Sequence, residues 1–294
     1  MEIKRQKIPH LYVICSISQD NGEKCANELM HSLSSTSKVE LLSKDRIDTL
    51  IHLKCIQDSY AAISRLVGFL LLDRDVIIHI DCITHAKRMQ LLKNVPSSCF
   101  KTCYVINDDL QIDDRMKQFE IPYYEEGWNA IKLSNIIGAR DSALNYNDLI
   151  RKTFAFDQYS KYHNLTLDEH HKAVEKYITS KSEDLALIEA ASIHDIGKIF
   201  TQTFKPNKEA QYIAHANVGA YKLISSFMYW IMPEDEQAYI DEALLLDIAF
   251  YINYHMAVRN MNSKNKDKYL TKFGEDKLMN LLLLDEADLA SHTV

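Results

Sequence analysis

Hydrophobic positions along the chain change rhythm near its middle. Over the first 135 residues, short apolar runs alternate with helical patterns. Leu11 to Ile17, Val39 to Leu42, Val76 to Ile80, Cys103 to Ile106 and Ala130 to Leu133 read as strands. They are mostly apolar, interrupted by single residues such as Glu40, His79 and Lys132, and suit strands covered on both faces. Between them, Asn27 to Leu33, Asp45 to Gln57, Ala61 to Leu71, Thr84 to Leu92 and Asp113 to Phe119 carry helical spacing. This order predicts an α/β domain with a parallel sheet over residues 1–135.

From about Tyr146 the alternation stops. Leu167 to Thr179, Glu183 to Asp195, Asn217 to Trp230, Asp235 to His255 and Glu275 to Ser291 read as amphipathic or buried helices, giving an all-α domain over 150–294. Asp168 and Asp235 fall near helix starts, where the dipole favours a carboxylate. Pro233 sits just before a helix, where proline is tolerated. The polar stretch around Gly138 is the expected linker, 136–149. No internal repeat or low-complexity tract interrupts either half.

Composition narrows the class. With 294 residues, 47% hydrophobic and 26% charged, the chain can bury two cores of ordinary size. A formal charge of −7 argues against a broad basic face for duplex DNA, though not against a local positive pocket. All six cysteines lie within the first 103 residues without a CxxC pair, so buried thiols in a reducing compartment are expected rather than a zinc–thiolate site. No apolar run reaches the roughly 18 residues of a membrane span, and Leu11 to Ile17 is too short for a signal-peptide core. A cytoplasmic protein without a membrane partner is expected.

The chemistry concentrates in the second half. His194 and Asp195 follow an apolar helical run (Leu185, Leu187, Ile188, Ala191), with Gly197 expected to end the helix. His255 follows Leu244, Leu245, Ile248, Ile252 and Asn253, and Asp288 follows Leu281 to Leu284. Polar groups delivered by buried helices are costly unless something pairs them. Imidazole nitrogens and carboxylate oxygens together suit Mn, Fe, Co, Ni, Zn or Mg better than Ca. One or two such ions in a helical bundle would satisfy the groups.

The order H…HD…H…H…D, centred on His194-Asp195-Ile196-Gly197-Lys198, resembles the HD-domain metal-dependent phosphohydrolases. The resemblance covers about Phe156 to His292 and includes Thr166-Leu167-Asp168-Glu169-His170, His215-Ala216-Asn217-Val218-Gly219, Ile252-Asn253-Tyr254-His255 and Glu286-Ala287-Asp288. It implies that His170, His194, Asp195 and Asp288 hold one metal. It also implies that His215 and His255 serve a second ion bridged by Asp195. His171 is an alternative to His170, although helix geometry turns it about 100° away. Asp285 and His292 flank the last ligand. Asp195 and Lys198 are the catalytic candidates, since a divalent ion lowers the pKa of water and a lysine can neutralise charge on phosphoryl oxygens. Lys198 is equally readable as a solvated lysine. Gln158, His163 and Lys198 are the substrate-contact candidates.

The first half resembles polynucleotide-kinase-type P-loop phosphotransferases that have lost their tools. Ser16 to Ala26 stands where G-x-x-x-x-G-K-[ST] would be, but with Ser16 and Asn21 for the glycines, Gly22 for the lysine and Glu23 for the hydroxyl residue. His79 occupies a position that is usually acidic, Asp45 reads as a helix cap, and Phe119 to Pro122 with Glu125 to Trp128 match a phrase near that domain's end. No ATP-binding residue is expected; the domain reads as a pseudokinase serving as scaffold or strand-end surface. The function expected is hydrolysis of a phosphate on a nucleotide or an RNA or DNA end, 2′,3′-cyclic or terminal. The alternatives are hydrolysis of a free or cyclic (di)nucleotide signal, and a catalytically inactive nucleotide- or RNA-binding regulator. Oligomeric state is not legible.

Overall fold

The structure, a computed structural model, describes residues 8–107, 111–135, 145–159, 164–228 and 241–291. They group into two compact units: 8–107 with 126–135, and 111–125 with the described residues from 145 onward.

The first unit is a five-stranded, wholly parallel sheet of β1 (His10–Ser16), β2 (Val39–Ser43), β3 (Asp75–His79), β4 (Phe100–Asn107) and β5 (Ala130–Asn135), in the order β2-β3-β1-β4-β5. The central β1 is buried along nearly its whole length, and β3 entirely, as their apolar runs require. Its helices are α1 (Gln19–Ser34), α2 (Lys44–His52), α3 (Tyr60–Leu70) and α4 (His85–Leu92).

Helix α1 starts eight residues earlier than its apolar spacing suggests. Only Ile17 and Ser18 separate it from β1, and the Ser18 hydroxyl caps it by accepting from the Asn21 amide at 3.2 Å. The segment aligned with a phosphate loop is therefore mostly helix. Gly22 lies in its second turn against the His79 ring: a Cβ there would stand 2.2 Å from Nε2. Asp45 is not the cap of α2 either. Ser43 is, accepting from Arg46, while Asp45 occupies the first turn, where it faces the dipole.

Arg88 and Glu126 form a fully buried pair in this unit, with Nε and Nη2 donating to the two carboxylate oxygens at 2.7 and 2.6 Å. Trp128 Nε1 and the His85 ring complete the carboxylate's partners at 2.9 and 3.2 Å. Burial alone would raise the Glu126 carboxyl, but the guanidinium outweighs it and holds the group below its ordinary value. Of the six cysteines, none is in a disulfide. Cys15, Cys82, Cys99 and Cys103 are buried, but Cys55 is exposed and Cys25 is half-buried, contrary to the expectation for all six.

The second unit is helical: α5 (Tyr146–Thr153), α6 (Leu167–Thr179), α7 (Leu185–Ala191), α8 (Lys198–Thr201), α9 (His215–Met228), α10 (Glu242–Tyr254), α11 (Lys266–Phe273) and α12 (Glu275–Ala290). A short antiparallel hairpin, β6 (Gln202–Phe204) and β7 (Ala210–Tyr212), stands between α8 and α9. Helices α5 and α11 and the hairpin were not legible from periodicity, being too short or too polar. Pro233, Asp235 and most of the expected linker lie outside the described residues.

The stretch 111–125 makes a three-residue 3-10 turn at Met116–Gln118 where a helix was expected, and it packs within the helical unit. Phe119 meets Tyr221 edge-on at 5.1 Å, and Tyr123 meets Phe250 at 4.9 Å. The Phe119 carbonyl accepts from the Asn217 and Asn253 side-chain amides at 2.7 and 3.2 Å, while Asn253 Oδ1 accepts from the Ile121 amide at 2.8 Å. Among the described residues, no helix is long and apolar enough to cross a membrane.

Candidate metal centre

Helix α6 opens with a capping box between Thr166 and Glu169, which fixes where its first turn points. Its next residue, His170, is fully buried. Helix α7 ends at Ala191, so His194 and Asp195 stand on a run of tight turns and not on a helix end as their apolar prelude suggests. Leu185, expected inside, is 67% exposed; Leu187 and Ala191 supply the burial.

Gly197 acts by close approach and not as a helix stop. A Cβ there would lie 1.9 Å from the His215 carbonyl oxygen and 2.8 Å from the Gly219 nitrogen. The His-Asp turn therefore lies flat on the first turn of α9, which sets Asp195 beside His215. His255 follows the last residue of α10, and Asp288 comes from the last turn of α12. Asn217 and Asn253, each two residues from one of these histidines, anchor both helices to the Phe119–Ile121 backbone.

The chain folds so that six predicted ligands converge in two groups sharing one carboxylate. His170, His194, Asp195 and Asp288 offer ligand atoms within 4.8 Å of one another, as do Asp195, His215 and His255. Asp195 divides its oxygens between the groups. Its Oδ2 lies 3.7 Å from His170 Nε2 and 3.5 Å from His194 Nε2. Its Oδ1 lies 3.0 Å from His215 Nε2 and 3.5 Å from His255 Nε2. Asp288 Oδ1 is 3.0 Å from His170 Nε2 and 3.7 Å from His194 Nε2.

The tautomers follow from the other ring nitrogens. His194, His215 and His255 place Nδ1 at 3.1, 2.8 and 2.7 Å from the carbonyls of Ala191, Tyr212 and Ile252. A carbonyl only accepts, so each Nδ1 carries a proton, and a ring in its neutral form presents the Nε2 lone pair to the cluster. Those lone pairs face carboxylate oxygens, and His215 and His255 also face each other at 3.1 Å. His194 Nε2 is buried without a hydrogen-bond partner. Acceptors aimed at acceptors are unfavourable unless a cation lies among them. Protonation is a poor substitute, because burial pulls His194 below its ordinary pKa and His255 down to about 4. The donor set of imidazole nitrogens and carboxylate oxygens, with Nδ1 held by a carbonyl, fits a transition-metal or Mg ion.

Asp195 is a fixed anion. Burial alone would raise it, but the Lys198 ammonium beside it holds it well below the usual carboxylate range. Lys198 is buried, not solvated: its Nζ sits 2.6 Å from Asp195 Oδ2, 2.7 Å from Gln158 Oε1 and 5.4 Å from the Tyr212 ring centre. Gln158 is in turn oriented by the Leu165 carbonyl at 3.2 Å, and its own carbonyl accepts from the Tyr212 hydroxyl at 2.6 Å. His171 points elsewhere than its neighbour: its Nε2 accepts the Asp195 backbone amide at 3.3 Å, and burial drives its pKa well down. It positions the turn from behind. His163 and His292 lie outside the described residues.

Sequence reasoning missed Arg259. It bonds Asp285 through Nε at 2.9 Å and contacts Asp288 Oδ2 through Nη2, leaving Asp288 Oδ1 toward the histidines. Its spacing of four residues past His255 and the spare carboxylate of Asp285 were the available signals. Asn217 and Asn253 were visible only as parts of motif phrases. The chain matches no protein-family model and no curated protein.

Proposed function

We propose that the helical unit is an HD-type metal-dependent phosphohydrolase or phosphodiesterase acting on a nucleotide or on a nucleic-acid-end phosphate. A 2′,3′-cyclic or terminal phosphate is the foremost candidate substrate. The observation that carries this reading is the division of Asp195, one oxygen to each of two histidine groups whose lone pairs face inward. One or two divalent ions held there would supply Lewis acidity toward a phosphoryl group and a more acidic water. His170, His194, Asp195 and Asp288 would hold the first ion, and Asp195, His215 and His255 the second.

Lys198 brings its ammonium to 2.6 Å from Asp195 Oδ2, and Gln158 aims it. Its ammonium can follow negative charge from Asp195 to a phosphoryl oxygen. Asp195 keeps its charge at all physiological pH and so serves as anchor rather than proton donor. The α/β unit is read as a degenerate kinase-like module, scaffold or substrate-binding surface. The two-residue connection before α1 and the His79 ring on Gly22 support that reading, because a phosphate-cradling loop needs both the length and the glycine.

The test is metal analysis of purified protein, anomalous scattering from crystals, and a Mn²⁺-supplemented panel of cyclic-phosphate RNA ends, terminal phosphates, mononucleotides and cyclic dinucleotides. Turnover of one class, abolished by His194→Ala, is expected. Metal-loaded protein inert across the whole panel would overturn the hydrolase reading.

A further inference from the structure

One residue beyond Gln158, which touches Lys198, stands an exposed aromatic pair. Tyr159 and Phe204 are each 54% exposed and meet edge-on, ring centres 5.4 Å apart. A pair of packed rings elsewhere in this unit, Tyr123 and Phe250, shows what structural aromatics look like. Tyr159 directly follows Gln158, which holds Lys198 on Asp195. Its backbone is fixed in the left-handed region at φ 42°, a conformation unfavourable for a tyrosine and usually kept where it places a side chain.

The hairpin enforces that placement. Ala210 donates its amide to the Tyr159 carbonyl at 3.1 Å, and Gln202 Nε2 bonds both the Asp157 carbonyl and the Tyr212 hydroxyl, at 3.0 and 2.9 Å. Phe204 ends β6, and the exposed Lys205 and Lys208 follow in the turn, Lys205 with Glu209 at 3.5 Å. Contacts thus run from Asp195 through Lys198 to Gln158, whose chain neighbour Tyr159 meets Phe204, and the two exposed lysines follow Phe204 in sequence.

We propose that Tyr159 and Phe204 form a stacking platform for the nucleobase next to the phosphate, with Lys205 and Lys208 meeting the following backbone phosphates of a strand. This deepens the proposed function, on which it rests for the identity of the reacting group. A base brings a flat apolar face and no charge, which suits exposed rings beside lysines better than an inorganic or sugar phosphate does. The platform therefore favours substrates that carry a base over abasic phosphate esters.

The experiment uses full-length protein and 2-aminopurine, a base whose fluorescence is quenched on stacking, read by stopped-flow before turnover. One probe is 2-aminopurine riboside monophosphate; the other is an RNA hexamer with the 2-aminopurine nucleotide at its phosphorylated 3′ end. An abasic hexamer serves as competitor. Quenching is expected with both probes, with Phe204→Ala and Tyr159→Ala weakening binding about 10-fold and Phe204→Trp restoring it. The abasic hexamer should compete about 10-fold less well. Lys205→Ala with Lys208→Ala should weaken the hexamer and not the mononucleotide; the reverse outcome assigns the lysines no strand contact and removes that part of the proposal. Hydrolysis without quenching, quenching unchanged by Phe204→Ala, or self-association lost in that variant would overturn the platform. Quenching that behaves as expected with no hydrolysis would sink the phosphohydrolase reading and leave the platform standing.

Discussion

Each unit buries a cluster of charged and imidazole side chains, yet the two are built on opposite principles. In the α/β unit, Arg88 meets Glu126 with two parallel bonds, and Trp128 and His85 use what remains of the carboxylate. Donors and acceptors match, and nothing further is called for. In the helical unit, three lone pairs and two carboxylates face a common space with one ammonium among them, and the Arg259 guanidinium holds only the outer oxygen of Asp288. The first cluster is complete as protein alone and the second is not. Burial of charge therefore says little about function by itself; the balance of donors against acceptors says more.

Breaking the comparison should give effects of different kinds as well as sizes. The largest belongs to the helical cluster. His194→Ala or Asp195→Asn is expected to lower activity on the best panel substrate by roughly 100-fold or more, with metal content falling in parallel in elemental analysis. Next, Glu126→Ala should cost about 3–5 kcal/mol of stability in chemical unfolding, since it strands a buried guanidinium, while leaving metal content unchanged. Replacing both partners at once, Arg88→Met with Glu126→Leu, should recover most of that loss; a double variant as unstable as the single one would contradict the closed-pair account.

Smaller effects sharpen the contrast. Arg259→Gln should weaken metal binding about 10-fold, seen by titration calorimetry, because Asp288 loses the contact that orients it. Mn²⁺ at 100 times its dissociation constant should raise unfolding free energy by about 2.7 kcal/mol in the wild type and by far less in His194→Ala. The pH response should separate the clusters too. Glu126 titrates below its ordinary value when folded, so its stabilisation is full above the unfolded pKa of about 4.3 and fades as pH falls through the folded one. Thermal melts between pH 5 and 2.5 should show a steeper loss in the wild type than in the Arg88→Met, Glu126→Leu double variant.

The strands were legible because burial on both faces leaves a run of Val, Ile and Leu that nothing else explains, and α6 was legible to the residue from its helical spacing with Asp168 in the first turn. The six cluster residues were legible by type and order. Their immediate supports were not. Arg259, Asn217 and Asn253 act through partners that are distant in sequence, and the Asn253–Ile121 bond spans 132 positions, beyond any local pattern. Gly197 was legible as important but for the wrong reason, since close approach to His215 leaves no periodic trace. The early start of α1 was hidden by its polar first turns, where capping by Ser18 and not apolar spacing sets the boundary.

The excursion of residues 111–125 limits how this polypeptide can be divided. A fragment beginning at α5 would contain every side chain of the candidate metal centre and still lack the carbonyl and amide that Asn217 and Asn253 grip. A buried amide, that of Asn253, and a half-buried one, that of Asn217, would lose these mates, each two positions from a histidine, and the rings of Tyr221 and Phe250 would face a trench where Phe119 and Tyr123 had been. The helical unit is thus sewn through by thread from the middle of its neighbour's sequence, and a gene cut at the obvious seam would deliver a protein with its stitching pulled.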